Sequence, residues 1–217
     1  EFDMYNGDPY FALSVQMVCS AFHSNPYGHE TIGFREDIER YTPKKLDRFY
    51  KHYYRPDNAT LTIVGDITNN EALTKIKEVF GGLKNPNTPI PRHDIQEPTQ
   101  EGMRRVEIKR PSSTNLLAIG IKHDGFPEQG WFNSSILFSI LVSGPDSILH
   151  KQLVDTGLAS SVEGSTEPTS ETNLGMIFVT LAPGSTHADI ESKVIEIIDS
   201  LTAKDITKLL KKVIQSE

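Results

Sequence analysis

Cysteine occurs once in these 217 residues, at Cys19, so no internal disulfide framework can form and no cysteine-rich zinc site can be built. A surplus of positive charge is also missing: 22 Lys and Arg stand against 29 Asp and Glu, for a net charge of −7. Proteins grip phosphate backbones with basic patches, so this balance argues against nucleic acid as a partner. No apolar run approaches the length of a membrane-crossing helix, and no membrane partner is expected. No GxGxxG follows a strand-like run, and neither a Walker A string nor GxSxG is present. The seven histidines are His23, His29, His52, His93, His123, His150 and His187. No two of them have the i, i+4 spacing that sets two metal ligands on one helical face. His93 and Glu97 have that spacing, but they lie in a proline-rich stretch.

What remains is an ordinary globular composition, 37% hydrophobic and 24% charged. At roughly 100–200 residues per domain, the length allows one large domain or two small ones. Cys19 sits in an apolar helical pattern and reads as a small buried hydrophobe rather than a nucleophile. The chain opens at Glu1 without methionine or a charged leader, and is read as a fragment or processed piece of a longer protein. Its compartment does not follow from this.

Residues 9–22 place Phe11, Val15, Val18 and Phe22 on one stripe, with Tyr10, Leu13, Met17 and Ala21 beside it. That spacing predicts a helix with a wide apolar face, buried against a sheet. The string His23-Ser24-Asn25-Pro26-Tyr27-Gly28 breaks it. Next, Thr42-Pro43 supplies an N-cap and a first-turn proline. The helix it opens is expected to bury Leu46, Phe49, Tyr50 and Tyr53 and to stop before Pro56. A strand over 59–65 is predicted, with Leu61 and Ile63 on one face. A further helix, capped by Asn69 or Asn70, turns Leu73, Ile76 and Phe80 inward and ends at Gly81-Gly82 in a left-handed cap.

Residues 84–100 carry Pro86, Pro89, Pro91 and Pro98 and read as an extended linker. Beyond them strands are expected at Val106–Ile108, Leu117–Ile121, 159–165 and 174–181. An apolar helix is expected over 131–142 (Ile136, Leu137, Ile140, Leu141), then a tight break at 144–147 and a short helix through Leu149, Leu153 and Val154. Thr186-x-x-Asp189 and Thr202-x-x-Asp205 match the pattern that opens helices. Those two helices bury Ile190, Val194, Ile197 and Leu201, then Ile206, Leu209, Leu210 and Val213. Hairpin strands mixed with helices define an α+β class, with helices on one face of a mostly antiparallel sheet. The part before the linker has one clear strand, which cannot satisfy its backbone alone and must borrow sheet partners.

Three strings occur in series: Pro26-Tyr27-Gly28-His29-x-Thr31-Ile32-Gly33, then Thr42 through Tyr53-Tyr54, then Arg55-Pro56-Asp57-Asn58 followed by an apolar run closing on Gly65-Asp66. After the linker come Glu101-Gly102, Leu117-Ala118-Ile119-Gly120, Leu141-Val142-Ser143-Gly144 and Gln152 through Ala159. This series resembles the insulinase/pitrilysin (inverzincin) zinc peptidases over essentially the whole chain. The resemblance implies an αβ-roll fold. Residues 1–83 would be the C-terminal part of one such domain, 84–100 the linker, and 101–217 the N-terminal half of the next.

In that family zinc is held by both histidines of a His-x-x-Glu-His motif and by a glutamate on a later helix, while the motif's own glutamate activates the zinc-bound water. His-x-x-Glu-His is absent from this sequence, so no catalytic residue is assigned and the chain alone is expected to be inactive. By position, Glu1 matches the family's downstream glutamate ligand. Asp8 is either a group orienting ligands or an N-cap, given Pro9 after it. His29 is either part of a turn shaped by Gly28 and Gly33 or a ligand. The resemblance implies zinc and a peptide substrate in the intact parent, with no zinc held by the fragment itself. Uncovered strand edges imply a homo-oligomer or a partner half. The alternative within the same family is a silent, chamber-forming or structural subunit; outside it, an interaction module.

Overall fold

A computed structural model describes residues 1–92 and 95–216, apart from the side chains of Asn6, Lys208 and residues 211–216. The His93–Glu97 spacing and Val213 therefore fall outside the described residues. The chain forms two compact units, Glu1–Ile32 with Gln96–Glu217, and Gly33–Ile95.

The larger unit is built on one antiparallel sheet of β1 (Leu116–His123), β2 (Ala159–Thr166) and β3 (Asn173–Leu181), in the order β1-β3-β2. Register places Ile119 opposite Ile177 and Val162 opposite Val179. Alternation along β3 explains the two layers around it. Ile177, Val179 and Leu181 face a core closed by α6 (Gln129–Val142), a π-helical turn (His150–Val154) and α7 (His187–Asp199). Leu141, Leu149, Leu153, Ile177, Val179 and Val194 are fully buried there. α8 (Ala203–Ser216) follows α7 and contacts α6. Leu174 and Met176 face the other way and meet α2 (Pro9–Ala21) through Met17, Val18, Ala21 and Phe22. Helices thus cover both faces of the sheet, not one. The amphipathic alternation of β3 permits this, because its second face carries Met176, Phe178 and Thr180 for α2 to cover.

Glycine lets both helices approach. A Cβ on Gly120 would lie 2.9 Å from the Met17 Sδ of α2, and one on Gly175 would lie 2.2 Å from the Phe138 ring of α6. Both Thr-x-x-Asp openings are built as expected: Thr186 Oγ1 accepts from the Asp189 N–H and Thr202 Oγ1 from the Asp205 N–H. Ile190, Val194 and Ile197 are buried, whereas Ile206, Leu209 and Leu210 are half-buried. In α6, Ile140 and Leu141 point into the core but Ile136 is exposed. Val106–Ile108 makes no ladder in the described structure, so the first predicted hairpin is absent.

The smaller unit holds α3 (Arg35–Ile38), α4 (Pro43–Tyr53) and α5 (Asn69–Phe80). Thr42 caps α4, accepting from the Lys45 N–H. α5 is capped by Thr68, not by Asn69 or Asn70, in a reciprocal capping box with Glu71. Its end at Gly81 stays right-handed at φ −62°, with the N–H bonding Lys77 O, so the expected left-handed cap is not formed. No strand forms over 59–65 among the described residues. Leu46, Phe49, Tyr50, Leu61, Ile63, Leu73 and Phe80 are exposed rather than buried, and Tyr53 and Ile76 are half-buried. The reason is physical: these stripes need a sheet to pack on, and no strand forms among the described residues of this unit.

Candidate functional site

Glu1 is exposed at the start of α1 (Phe2–Asn6), where its backbone carbonyl accepts from the Met4 and Tyr5 N–H groups at 3.0 and 3.2 Å. Its side chain makes no cap bond. Asp8 takes the capping role, with Oδ1 accepting from the Tyr10 N–H at 2.8 Å. His29 is exposed in a turn, its Nδ1 3.0 Å from the Glu30 carbonyl, and Gly33 beyond it has φ +75°. Cys19 is half-buried; burial, then the nearby Glu30 carboxylate, pushes its thiol pKa up, so thiolate chemistry is disfavoured.

Among the described residues, no three His, Cys, Asp or Glu side chains come together as a metal site. Glu1 supplies at most one ligand, and three protein ligands are the minimum for a catalytic zinc. The residues present therefore do not fit a zinc ion by themselves. A surface groove of about 350 Å³ lies between Ile148, Gln152, Ser200 and Leu209. Its lining pairs no nucleophile with a base: Lys193 is bonded to Glu196 at 3.0 Å, and Ser200 Oγ donates to Ile197 O.

Two polar clusters stand out instead. The first surrounds Glu97, which lies in the proline-rich stretch expected to be an extended linker. Its carboxylate accepts from three successive backbone N–H groups after α2: His23 at 2.9 and 3.1 Å, Ser24 at 2.9 Å and Asn25 at 3.0 Å. Lys122 on β1 lies 3.7 Å away and sits over the Phe22 ring. Burial alone would raise this carboxyl's pKa. The N–H groups of Ser24, His23 and Asn25, then Lys122, outweigh it and bring the value down to about 2. Asn25, itself buried, donates from Nδ2 to Glu171 at 3.0 Å, which ties the same turn to the β2–β3 loop.

The second cluster explains the Arg55-Pro56-Asp57-Asn58 string. Arg55 is buried and forks onto Asp57 at 2.6 and 2.7 Å. It also donates to Thr88 O at 2.8 Å and Pro86 O at 3.1 Å. That hydrogen bond to Asp57 raises the Arg55 pKa and lowers that of Asp57. Asn58 Nδ2 donates to Tyr53 O at the end of α4. The string is a backbone joint, and its acid and base neutralise each other. The Arg-x-Asp spacing was the available signal, but its carbonyl partners are 31 and 33 residues away.

The described residues thus form an α+β layer whose two polar clusters are joints of the backbone. The chain matches the family described as the Peptidase M16 inactive domain over residues 40–211, and it belongs to that family. The insulinase/pitrilysin resemblance therefore holds. Zinc protease PqqE of Helicobacter pylori is 25% identical over 206 residues, covering 94% of this chain and 46% of the relative. A crystal structure of a protease from Helicobacter pylori superposes with a TM-score of 0.87 at 24% identity, over 98% of this chain and 53% of that one. The structure of the ferredoxin protease FusC in complex with Arabidopsis ferredoxin matches at a TM-score of 0.62 and 23% identity, over 93% of this chain and 24% of that chain. Below 25% identity such likenesses speak to the fold. The chain spans about half the length of the two Helicobacter relatives.

Proposed function

We propose that this chain is a non-catalytic portion of a zinc-dependent endopeptidase that hydrolyses peptide bonds of oligopeptides or unfolded segments. The observation that carries the reading is the family match over residues 40–211 in a chain spanning about half of its zinc-protease relative. Residues 1–83 are the end of one αβ-roll domain, 84–100 the linker and 101–217 the first half of the next. The unladdered 59–65 run and the exposed apolar stripes of α4 and α5 support this, since both call for a sheet outside their own unit. Two histidines and the general base come from elsewhere in the longer protein, and Glu1 is its third zinc ligand. In that protein Glu1→Gln should abolish stoichiometric zinc, read by metal quantitation, while the circular dichroism spectrum stays unchanged. Full zinc occupancy in the variant would remove Glu1 from the ligand set, and a longer protein without zinc would overturn the peptidase reading.

The match to an inactive-domain family also favours a second reading, a silent chamber-forming or structural subunit. Cleavage of a quenched peptide, tested with and without a partner subunit, separates the two. The uncovered faces favour association with a second copy or a partner half, and a monomer by sedimentation at high concentration would refute it. A protein substrate is in keeping with the ferredoxin bound by FusC.

A further inference from the structure

We propose that residues 96–104 form a strap that locks the end of α2 by seating the Glu97 carboxylate in an anion-binding turn, His23–Asn25, which a free carboxylate can also occupy. A helix C-terminus normally leaves carbonyls without partners, and a turn after it can aim successive N–H groups at one point, forming a concave anion seat. Here both needs are met from one segment. Glu97 brings negative charge to the donors of residues 23, 24 and 25. Seven residues on, Arg104 Nη1 donates to the α2 carbonyls of Ser20 at 2.7 Å and Ala21 at 2.8 Å.

Between these two attachments residues 98–103 are exposed, and Met103 is 74% exposed. The segment is therefore held at its ends and not along its length. By contrast the Glu97 side chain is only 12% exposed, with Lys122 Nζ 3.7 Å from its carboxylate and the buried Asn25 at the end of the turn. Phe22 and Val18, just before the turn, are the buried anchors of α2 on the second face of the sheet. Locking the turn thus locks the end of the helix that covers that face. This inference is independent of zinc or peptidase activity.

The test is NMR-detected amide exchange on the full chain. In Glu97→Ala, exchange at His23, Ser24 and Asn25 should rise on the order of ten-fold or more and become fast relative to the Ile177 and Val179 amides, whose protection falls only by the loss in global stability. Sodium acetate should restore protection in Glu97→Ala beyond sodium chloride at equal ionic strength, and should not restore Arg104→Ala. Unchanged exchange in Glu97→Ala would overturn the strap. Loss that acetate cannot restore would overturn the seat. If in both Glu97→Ala and Glu97→Gln the three turn amides still exchange no faster than the β3 amides, the turn opens only with global unfolding and the proposal fails.

Discussion

Acid titration of Glu97 gives the sharpest quantitative prediction. Its carboxyl titrates at about 2 in the folded chain, against an ordinary 4.5. A folded-state pKa that is depressed stabilises the fold fully above the unfolded value, and the contribution disappears as pH falls through the folded one. The window is therefore pH 4.5 down to 2. At 1.36 kcal/mol for each tenfold change in proton affinity, the displacement is worth at most about 3 kcal/mol, and solvent screening at the exposed turn leaves about 1–2 kcal/mol at neutral pH. An independent route gives a similar size. Three backbone donors on a charged acceptor supply several kcal/mol gross, and taking a nearly enclosed carboxylate out of water removes part of that.

Glu97→Gln keeps the shape, loses the charge and turns an NH₂ toward at least one of the three donors. At pH 7 it should be destabilised by about 1–2 kcal/mol in a denaturant titration. Trp131, the one tryptophan, donates to Glu167 O in the same unit and serves as the fluorescent reporter. The gap between parent and variant should close as pH falls from about 4.5 toward 2. A gap of equal size at pH 7 and near pH 2, or one below about 0.5 kcal/mol at pH 7, would refute the reasoning.

Core packing gives two further expectations. Ile177→Ala removes a fully buried side chain from the centre of β3 and should cost about 2–5 kcal/mol in denaturant unfolding; a loss under about 1 kcal/mol would mean that α6 and α7 do not close on that strand as described. Gly175→Ala places a methyl group against the Phe138 ring and should cost about 1–3 kcal/mol by the same assay, whereas an unchanged midpoint would show that the ring has room to move.

Helix openings are legible from local signals in the sequence. Proline and hydroxyl caps place α4, α7 and α8, because a cap is a bond between neighbours and needs nothing distant, while apolar spacing places α2. Thr68-x-x-Glu71 shows the limit, since an equally good capping box was passed over for the asparagines beside it. Burial along α4 and α5 was misjudged for a different reason. An apolar stripe says that a helix has a buried side somewhere, and not that its own unit provides the cover. Glu97 and Arg55 are invisible as sites in the sequence because their backbone partners lie 31 to 74 residues away. Neither a period nor a motif encodes such a pairing.

The Tyr53–Asp66 stretch draws the line between the two kinds of information. By itself the sequence determined where α4 begins and ends, the positions of β2 and β3, the missing His-x-x-Glu-His motif and the family, since each rests on residues close together or on their order. Only the tertiary structure decided that helices cover both faces of the sheet, that Arg55 joins residues 86 and 88, and that the linker is clasped by a turn. Those facts depend on charges and backbone donors brought together from distant points, where burial makes each unpaired group costly and so selects a partner.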